Sequence, residues 1–220
     1  MTDSPDITEW RRERRGELLA RRMALSADQH HQCNVAITAL VLEGFPMLRR
    51  SVVGFYWPFK GEFDPRFAIH ELRRSGARAA LPVVLQKNAA LQFREWWPGV
   101  ATVKGVFDLP IPDGTRIVLP DALLIPPIGF DRQAYRLGYG GGYFDRTLAA
   151  MAPRPLTIGV GFELSRMATI RPQPHDIALD FIVTEAGIHH VGPNGLEPVC
   201  DLSRVSDLVR GIAAPKSASP

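Results

Sequence analysis

The chain has 220 residues, 45% hydrophobic and 22% charged, a balance that suits a globular domain and excludes disordered, fibrous and disulfide-rich classes. A formal net charge of +3 suits anionic small molecules as readily as nucleic acid. Two cysteines, Cys33 and Cys200, lie far apart without metal-ligand spacing, and the N-terminus opens with Asp3, Asp6 and Glu9 and no long apolar run, so a reducing, cytoplasmic setting with neither signal peptide nor membrane span is expected.

Residues 6–25 are predicted to form a helix, with Trp10, Leu18, Leu19, Met23 and Leu25 apolar and arginines between them. Arg11 and Arg15 are four apart and share a face; on charge pattern alone that face is solvated. Ser26 caps a second helix reaching about Leu42, broken by Gly44 and Pro46. Within it, Cys33 is expected as a small buried filler, while His30 and His31, on successive residues, suit solvent better than joint metal ligation. Residues 52–57 are rich in β-formers and predict a strand, followed by a loop and a helix from about Pro65 with Asp64 as its cap. Residues 77–85 supply the next strand and complete a βαβ unit, and residues 90–97 an edge strand or hairpin arm whose Trp96 and Trp97 are either packing or pocket wall. Residues 106–117, rich in proline and aspartate, read as an extended surface loop.

A short apolar run at residues 121–130, bounded by turn formers, reads as a buried strand ending near a site. It leads into Arg136-Leu137-Gly138-Tyr139-Gly140-Gly141-Gly142-Tyr143-Phe144-Asp145-Arg146, where four of five consecutive positions are glycine. Such a loop allows positive φ angles and close approach of a ligand to backbone amides. The residues after it have helical spacing, so the glycines feed a helix N-terminus, where unpaired amides favour phosphate. Arg136 adds a planar fork of donors and Asp145 a hard oxygen suited to magnesium. The spacing matches neither the GxxxxGK[ST] loop nor a dinucleotide GxGxxG fingerprint. Beyond it come a buried strand at residues 156–162, a loop at 172–180 and a strand at 181–184. His175 reads as structural, and Asp176 or Asp180 serves at least to cap the turn. The alternation of strands and helices predicts an α/β fold with a mainly parallel sheet flanked by helices, in one domain over residues 1–199, followed at 200–220 by a short helix and a mobile tail.

Residues 136–146, with 126–131 before them, closely resemble the signature of the 5-formyltetrahydrofolate cyclo-ligase (methenyltetrahydrofolate synthetase) family, and the resemblance spans about residues 10–185. It implies a fold like that of sugar-phosphate isomerases and CoA transferases. The reaction it implies is the ATP- and Mg2+-dependent conversion of 5-formyltetrahydrofolate to 5,10-methenyltetrahydrofolate, with ADP and phosphate released. On that resemblance, Arg11, Arg15, Arg136, Leu137, Gly138, Tyr139, Gly140, Gly141, Gly142, Tyr143 and Phe144 bind ATP, and Arg136 and Tyr143 are catalytic. Trp57, Glu62, Tyr139 and Tyr143 face the folate, and Asp145 and Asp176 hold the metal. Arg11 stands where lysine is usual, and Tyr139 and Gly141 where some relatives carry basic residues. The partners implied are ATP and a folate, with no nucleic acid and no membrane; a monomer is favoured. Two other readings remain: a divergent relative acting on another formyl or carboxyl substrate, and a nucleic-acid-binding protein using the basic N-terminal helix.

Overall fold

Apolar runs bounded by turn formers become strands wherever both of their faces are covered. In the computed structural model, which describes residues 5–213, the chain runs α1 (Pro5–Met23), α2 (Ala27–Gly44), β1 (Val52–Gly54), α3 (Arg66–Arg74), β2 (Arg78–Val83), β3 (Gln92–Trp96), β4 (Thr102–Lys104), β5 (Pro110–Pro112), β6 (Ala122–Ile125), β7 (Gly129–Phe130), β8 (Arg136–Leu137), α4 (Tyr143–Ala150), β9 (Leu156–Val160), β10 (Phe181–Thr184), β11 (Gly187–Gly192), β12 (Gly195–Pro198) and α5 (Ser203–Ala213). Local chemistry sets several boundaries. Ser26 and Gln29 form a reciprocal capping box that starts α2, and the Asp64 carboxylate accepts the amide of Arg66 at 3.0 Å where α3 begins.

The main sheet has the order β12-β11-β10-β9-β6-β1-β2-β3. Its centre is parallel: β1 pairs with β2 and β6, and β9 with β6 and β10. Antiparallel strands close both sides, β3 on β2 and the β11–β12 hairpin on β10. Side chains alternate between two cores, as a pleated strand requires. Leu124, Ile158 and Val183 join α2, α3 and Val205 of α5 on one side, whereas Leu123, Ile125 and Ile182 join Leu148 of α4 on the other. The chain leaves β1 toward β2 and later returns to β6 on β1's opposite flank, so the carboxyl ends of β1 and β6 flank the point where strand order reverses. That is where open α/β sheets place ligands.

Several expectations change. The first strand stops at Gly54, and residues 55–57 continue without ladder pairing in the carboxyl-end loop. Residues 106–117 are not loop throughout: a short turn of 3-10 helix at Val106–Asp108 leads into β5, which pairs antiparallel with β4, and residues 113–117 follow as a largely exposed connection. The Trp pair splits. Trp96 is buried with its ring 5.1 Å from Phe55 and 6.4 Å from Trp57, and Trp97 is exposed, so both serve packing or solvent rather than the cleft. His30 is half-buried, its Nε2 within 3.2–3.3 Å of the carbonyls of Glu62 and Gly61. The predicted tail beyond Ala213 lies outside the described residues. Among the described residues, no helix is long and apolar enough to cross a membrane.

Gly54 marks how tightly the centre is built. A Cβ there would stand 2.4 Å from Leu123 Cδ2 and 3.0 Å from Phe93, both fully or nearly fully buried. Gly54→Ala should therefore lower the unfolding free energy by about 1–3 kcal/mol despite the entropy alanine saves. Denaturant unfolding checks this, and a variant as stable as the parent would mean that the sheet centre has room to spare.

Candidate functional site

Helix α1 lies across the carboxyl ends of the strands with a charged face turned inward. At about 100° per residue, Arg11, Arg15, Leu18 and Arg22 fall within an arc of about 60°, and Arg11, Leu18 and Arg22 are buried. A buried guanidinium needs acceptors, because leaving it unpaired costs several kcal/mol. Arg11 finds the carbonyl of Arg171 at 2.9 Å and both carboxylate oxygens of Asp176, at 2.5 and 3.4 Å. Arg15 donates to the carbonyl of Gly138 at 2.7 Å. Arg22 reaches the carbonyls of Lys60 and Pro127 and the hydroxyl of Tyr139. One helix face thus gathers the loops after β1 and β6, the glycine loop and the segment before β10.

The glycine loop follows β8. Gly140 and Gly142 have φ of +91° and +61°, in the left-handed region that favours glycine, and Gly142 hands over to α4 as its N-cap. A Cβ at Gly141 would meet the Tyr143 ring at 2.7 Å. Any side chain at that position would have to displace this ring. Arg146 stacks on Tyr143 with 5.3 Å to the ring centroid and donates to the carbonyl of Gly141. Arg136 is buried, pairs with Asp145 at 3.1 Å and lies over the Phe144 ring. Burial pushes Arg136 down from the usual arginine range, and Asp145 opposes that shift.

Beneath the loop, Asp131 is 1% exposed. Its carboxylate accepts the amides of Gln133 and Tyr135 through Oδ1 and of Ile170 through Oδ2, all at 3.0–3.1 Å. It fixes the β7–β8 turn, from which Arg136 and the glycine loop emerge, to the segment that leads to Asp176. Sequence reading placed Asp131 in a motif without giving it this task.

Arg11, Arg15, Arg136, Asp145, Asp176 and the glycine loop line a cleft of about 480 Å³, within the usual range for small-molecule sites; Arg22, Asp131 and Arg146 stand behind its walls. Its two ends differ chemically. Arg11, Arg15, Arg136, the glycines, Asp145 and Asp176 make a charged end; Trp57, Phe59, Leu81 and Val84, with Val106, Leu109 and Ile111 of the β4–β5 hairpin, make an apolar end. Glu62 and Tyr139 stand between. Tyr139 donates to Glu62 Oε1 at 3.0 Å, and the amide of Phe59 donates to Oε2 at 2.9 Å. Burial raises Glu62 to about 7; Arg22, the Phe59 amide and Tyr139 all oppose the rise. Burial likewise raises the Tyr139 and Tyr56 hydroxyls, with the charge of Glu62 adding to it. Every predicted site residue from Arg11 to Asp176 lines this one cleft. Arg22, Asp131 and the hairpin were missed. Of these, Arg22 was within reach of sequence reading, because it shares the helical face of Arg11 and Arg15.

The model of the 5-formyltetrahydrofolate cyclo-ligase family matches residues 7–185. The 5-formyltetrahydrofolate cyclo-ligase of Escherichia coli strain K12 is 29% identical over 175 residues, which are 76% of this chain and 96% of that protein. The cyclo-ligase of Mycolicibacterium smegmatis is 32% identical over 151 residues, 65% of this chain and 77% of that one. The NMR structure of Aquifex aeolicus 5,10-methenyltetrahydrofolate synthetase superposes with a TM-score of 0.72 at 25% identity, covering 82% of this chain and 92% of that one.

Removing the Asp131 carboxylate takes the acceptor from three amides, that of Ile170 in a buried position. Asp131→Ala is expected to cost about 2–4 kcal/mol of stability and to loosen the turn that carries Arg136 from the segment that leads to Asp176. Hydrogen exchange at Gln133, Tyr135 and Ile170 reads the effect directly; unchanged protection at all three would show that the carboxylate does not hold the turn.

Proposed function

The chain belongs to the 5-formyltetrahydrofolate cyclo-ligase family, and we propose that it converts 5-formyltetrahydrofolate to 5,10-methenyltetrahydrofolate at the expense of ATP. The observation that carries this reading is the two-ended cleft, in which a glycine loop and three arginines face an apolar, aromatic wall across Glu62. The charged end suits the ATP phosphates. The apolar end suits a flat pterin, whose face packs on Trp57 and whose N–H edge donates to Glu62.

Chemically, the γ-phosphorus of ATP bonds to the formyl oxygen while its bond to ADP breaks, giving an imidate-like phosphate. N10 then bonds to the activated carbon and loses its proton, and the carbon–oxygen bond breaks to release phosphate. The chain aligns reactants and stabilises charge rather than forming covalent bonds. Arg15 and Arg136, with the amides of Gly140, Gly141 and Gly142, hold phosphate oxygens. Tyr143, at the start of α4 beside the loop, and Arg136 face the transferring group as the catalytic pair. Arg11 secures the wall through Asp176 and presents its remaining charge to the phosphates.

Magnesium fits this donor set through Asp145. A carboxylate offers about four lone-pair positions. Asp145 uses two, on Arg136 and on the amide of Ile177, which leaves capacity for a cation that also binds phosphate. Asp176 is more committed, with Arg11 on both oxygens and the amide of Gln173 on one; it joins the metal only by loosening Arg11. When bound, the ion would neutralise phosphate charge. Among the described residues, no cluster of three or more metal-ligating side chains exists. The proposal includes the sugar-phosphate isomerase and CoA transferase type of fold and a cytoplasmic monomer working on small molecules. A divergent relative using another formyl or carboxyl substrate is the second reading, favoured by Arg11 at a lysine position.

The test follows 5,10-methenyltetrahydrofolate by its near-ultraviolet absorbance, with ATP, magnesium and 5-formyltetrahydrofolate each omitted in turn. Product requiring all three supports the reading. No product from folded protein that binds ATP transfers support to the divergent enzyme. Two variants refine it. Asp145→Asn, which keeps an acceptor beside Arg136 but removes the charge, should lower turnover about a hundredfold; wild-type rates at saturating magnesium would remove Asp145 from the metal. Arg15→Ala should raise the KM for ATP about tenfold and leave that for folate near its starting value, whereas equal rises would mark a packing defect.

A further inference from the structure

Glu62 is 4% exposed and lines the cleft, yet among the described residues no guanidinium or ammonium hydrogen-bonds its carboxylate directly. The nearest guanidinium is that of Arg22, also 4% exposed, at 4.0 Å. Between them stands the Tyr139 hydroxyl, which accepts from Arg22 Nη2 at 2.9 Å and donates to Glu62 Oε1 at 3.0 Å. The contrast with Arg11 is informative. There the guanidinium takes both oxygens of Asp176 directly, and little acceptor capacity survives.

Arg22 also controls the shape of the loop that presents Glu62. Lys60 and Gly61 have φ of +48° and +67°, and a lysine in that region is held only by its surroundings. Arg22 Nε takes the Lys60 carbonyl at 3.0 Å and Nη1 the Pro127 carbonyl at 3.4 Å. The loop after β1, the loop after β6 and the glycine loop therefore meet on one buried cation.

We propose that Arg22 is a positioning residue for folate binding: it holds the Glu62 loop in its strained conformation and supports the Glu62 carboxylate through Tyr139, leaving two of that carboxylate's lone-pair positions for substrate N–H groups. This rests on the cyclo-ligase reading of the cleft. A direct ion pair would consume those positions, whereas a cation held one hydroxyl away supplies charge without occupying them. Arg22 touches no reacting atom and acts only through its neighbours.

The consequences are specific to one substrate and to pH. Glu62 titrates at about 7, with Arg22 foremost among the groups that keep it from rising further. If the carboxylate is the form that accepts from folate, folate affinity falls as pH drops through this value. Removing Arg22 then moves that midpoint upward. The charged and titratable groups facing Glu62 are Arg22 from α1, Tyr139 from the glycine loop, and Tyr56 and Asp64 from the segment after β1. His30 of α2 meets the Glu62 carbonyl, so His30→Gln serves as the control.

The experiment measures equilibrium binding of 5-formyltetrahydrofolate and, separately, of a non-hydrolysable ATP analogue to the full chain from pH 5.5 to 8.5. Arg22→Met should weaken folate binding about tenfold or more at neutral pH, move its midpoint up and change ATP-analogue affinity less than about twofold. Arg22→Lys should restore much of the midpoint through its charge, but not the full affinity, because an ammonium cannot fork to three acceptors. Wild-type folate affinity and midpoint in Arg22→Met, or an equal loss of both ligands, would overturn the proposal. If Arg22→Met does not fold, Tyr139→Phe removes the bridging hydroxyl while sparing the backbone contacts of Arg22; an unmoved midpoint there is equally fatal. Folate binding without turnover in the wild type defeats the cyclo-ligase reading and leaves this one standing, whereas turnover with an unaffected Arg22→Met does the reverse. A wild type that binds no folate defeats both.

Discussion

The site depends on one constraint: α1 turns arginines, not leucines, toward the protein, and a guanidinium out of water must be met by acceptors. Leu18 is the exception on that face, packed with Ile128, Leu137 and Ile170. The acceptors available at the carboxyl edge of a parallel sheet are the backbone carbonyls of its loops, which no ladder claims. Arg11, Arg15 and Arg22 use those of Arg171, Gly138, Lys60 and Pro127. Loops from distant parts of the chain are thereby held to a single rigid rod. The exposed pairs on the same helix, Arg12 with Glu9 and Arg14 with Glu17, contribute between about 0 and 1 kcal/mol each and shape nothing. Burial sets Arg11 and Arg22 apart from these pairs, and the half-buried Arg15 is set apart by its bond to the Gly138 carbonyl.

The same accounting sorts the carboxylates. Asp131 meets backbone amides on both oxygens and Asp176 is nearly filled by Arg11, so both behave as structural anchors. Asp180 belongs with them, bonded to the amide and hydroxyl of Thr157. Asp145 and Glu62 are different. Each lies in the cleft with acceptor positions left over, and each is held by groups that restrict its direction without using it up. Capacity left at a fixed position, rather than charge alone, makes a carboxylate available to a ligand.

Much of this could be read from the sequence, and the parts that could not share a cause. The apolar runs that became β6, β9 and β10 and the loop from Gly138 to Gly142 are local patterns, and local patterns survive in one dimension. The β4–β5 hairpin pairs two strands of three residues, one fully exposed and one with a proline at each end, so it shows neither alternation nor length. The β11–β12 hairpin turns through Pro193-Asn194, with Gly195 opening β12 at a positive φ, a recognisable turn signal, but lies where the family resemblance ends. Arg22 was lost for a different reason. Hydrophobic periodicity assumes that an inward face is apolar, and this one is cationic; an arginine read only as charge is sent to solvent. Asp131 was only partly legible: the amides of Gln133 and Tyr135 are its sequence neighbours, but that of Ile170, which ties the turn to the segment before β10, reaches it only after folding.

The ligand-free pairing of Arg136 with Asp145 bears on what the charged end will accept. Both lie away from bulk water, so neither gives up the other without replacement. A lone anion drawn to Arg136 would leave Asp145 with an uncompensated charge beside it. A lone cation at Asp145 would strand Arg136 in the same way. On the proposed reading, a phosphate arriving with its own divalent cation would satisfy both, its oxygens serving Arg136 and the cation serving Asp145. On the proposed reading, this preference for a neutralised nucleotide is set by the pair itself. It requires no dedicated metal cage, in keeping with a loop whose other donors are uncharged amides and whose glycines at 140 and 142 let those amides approach.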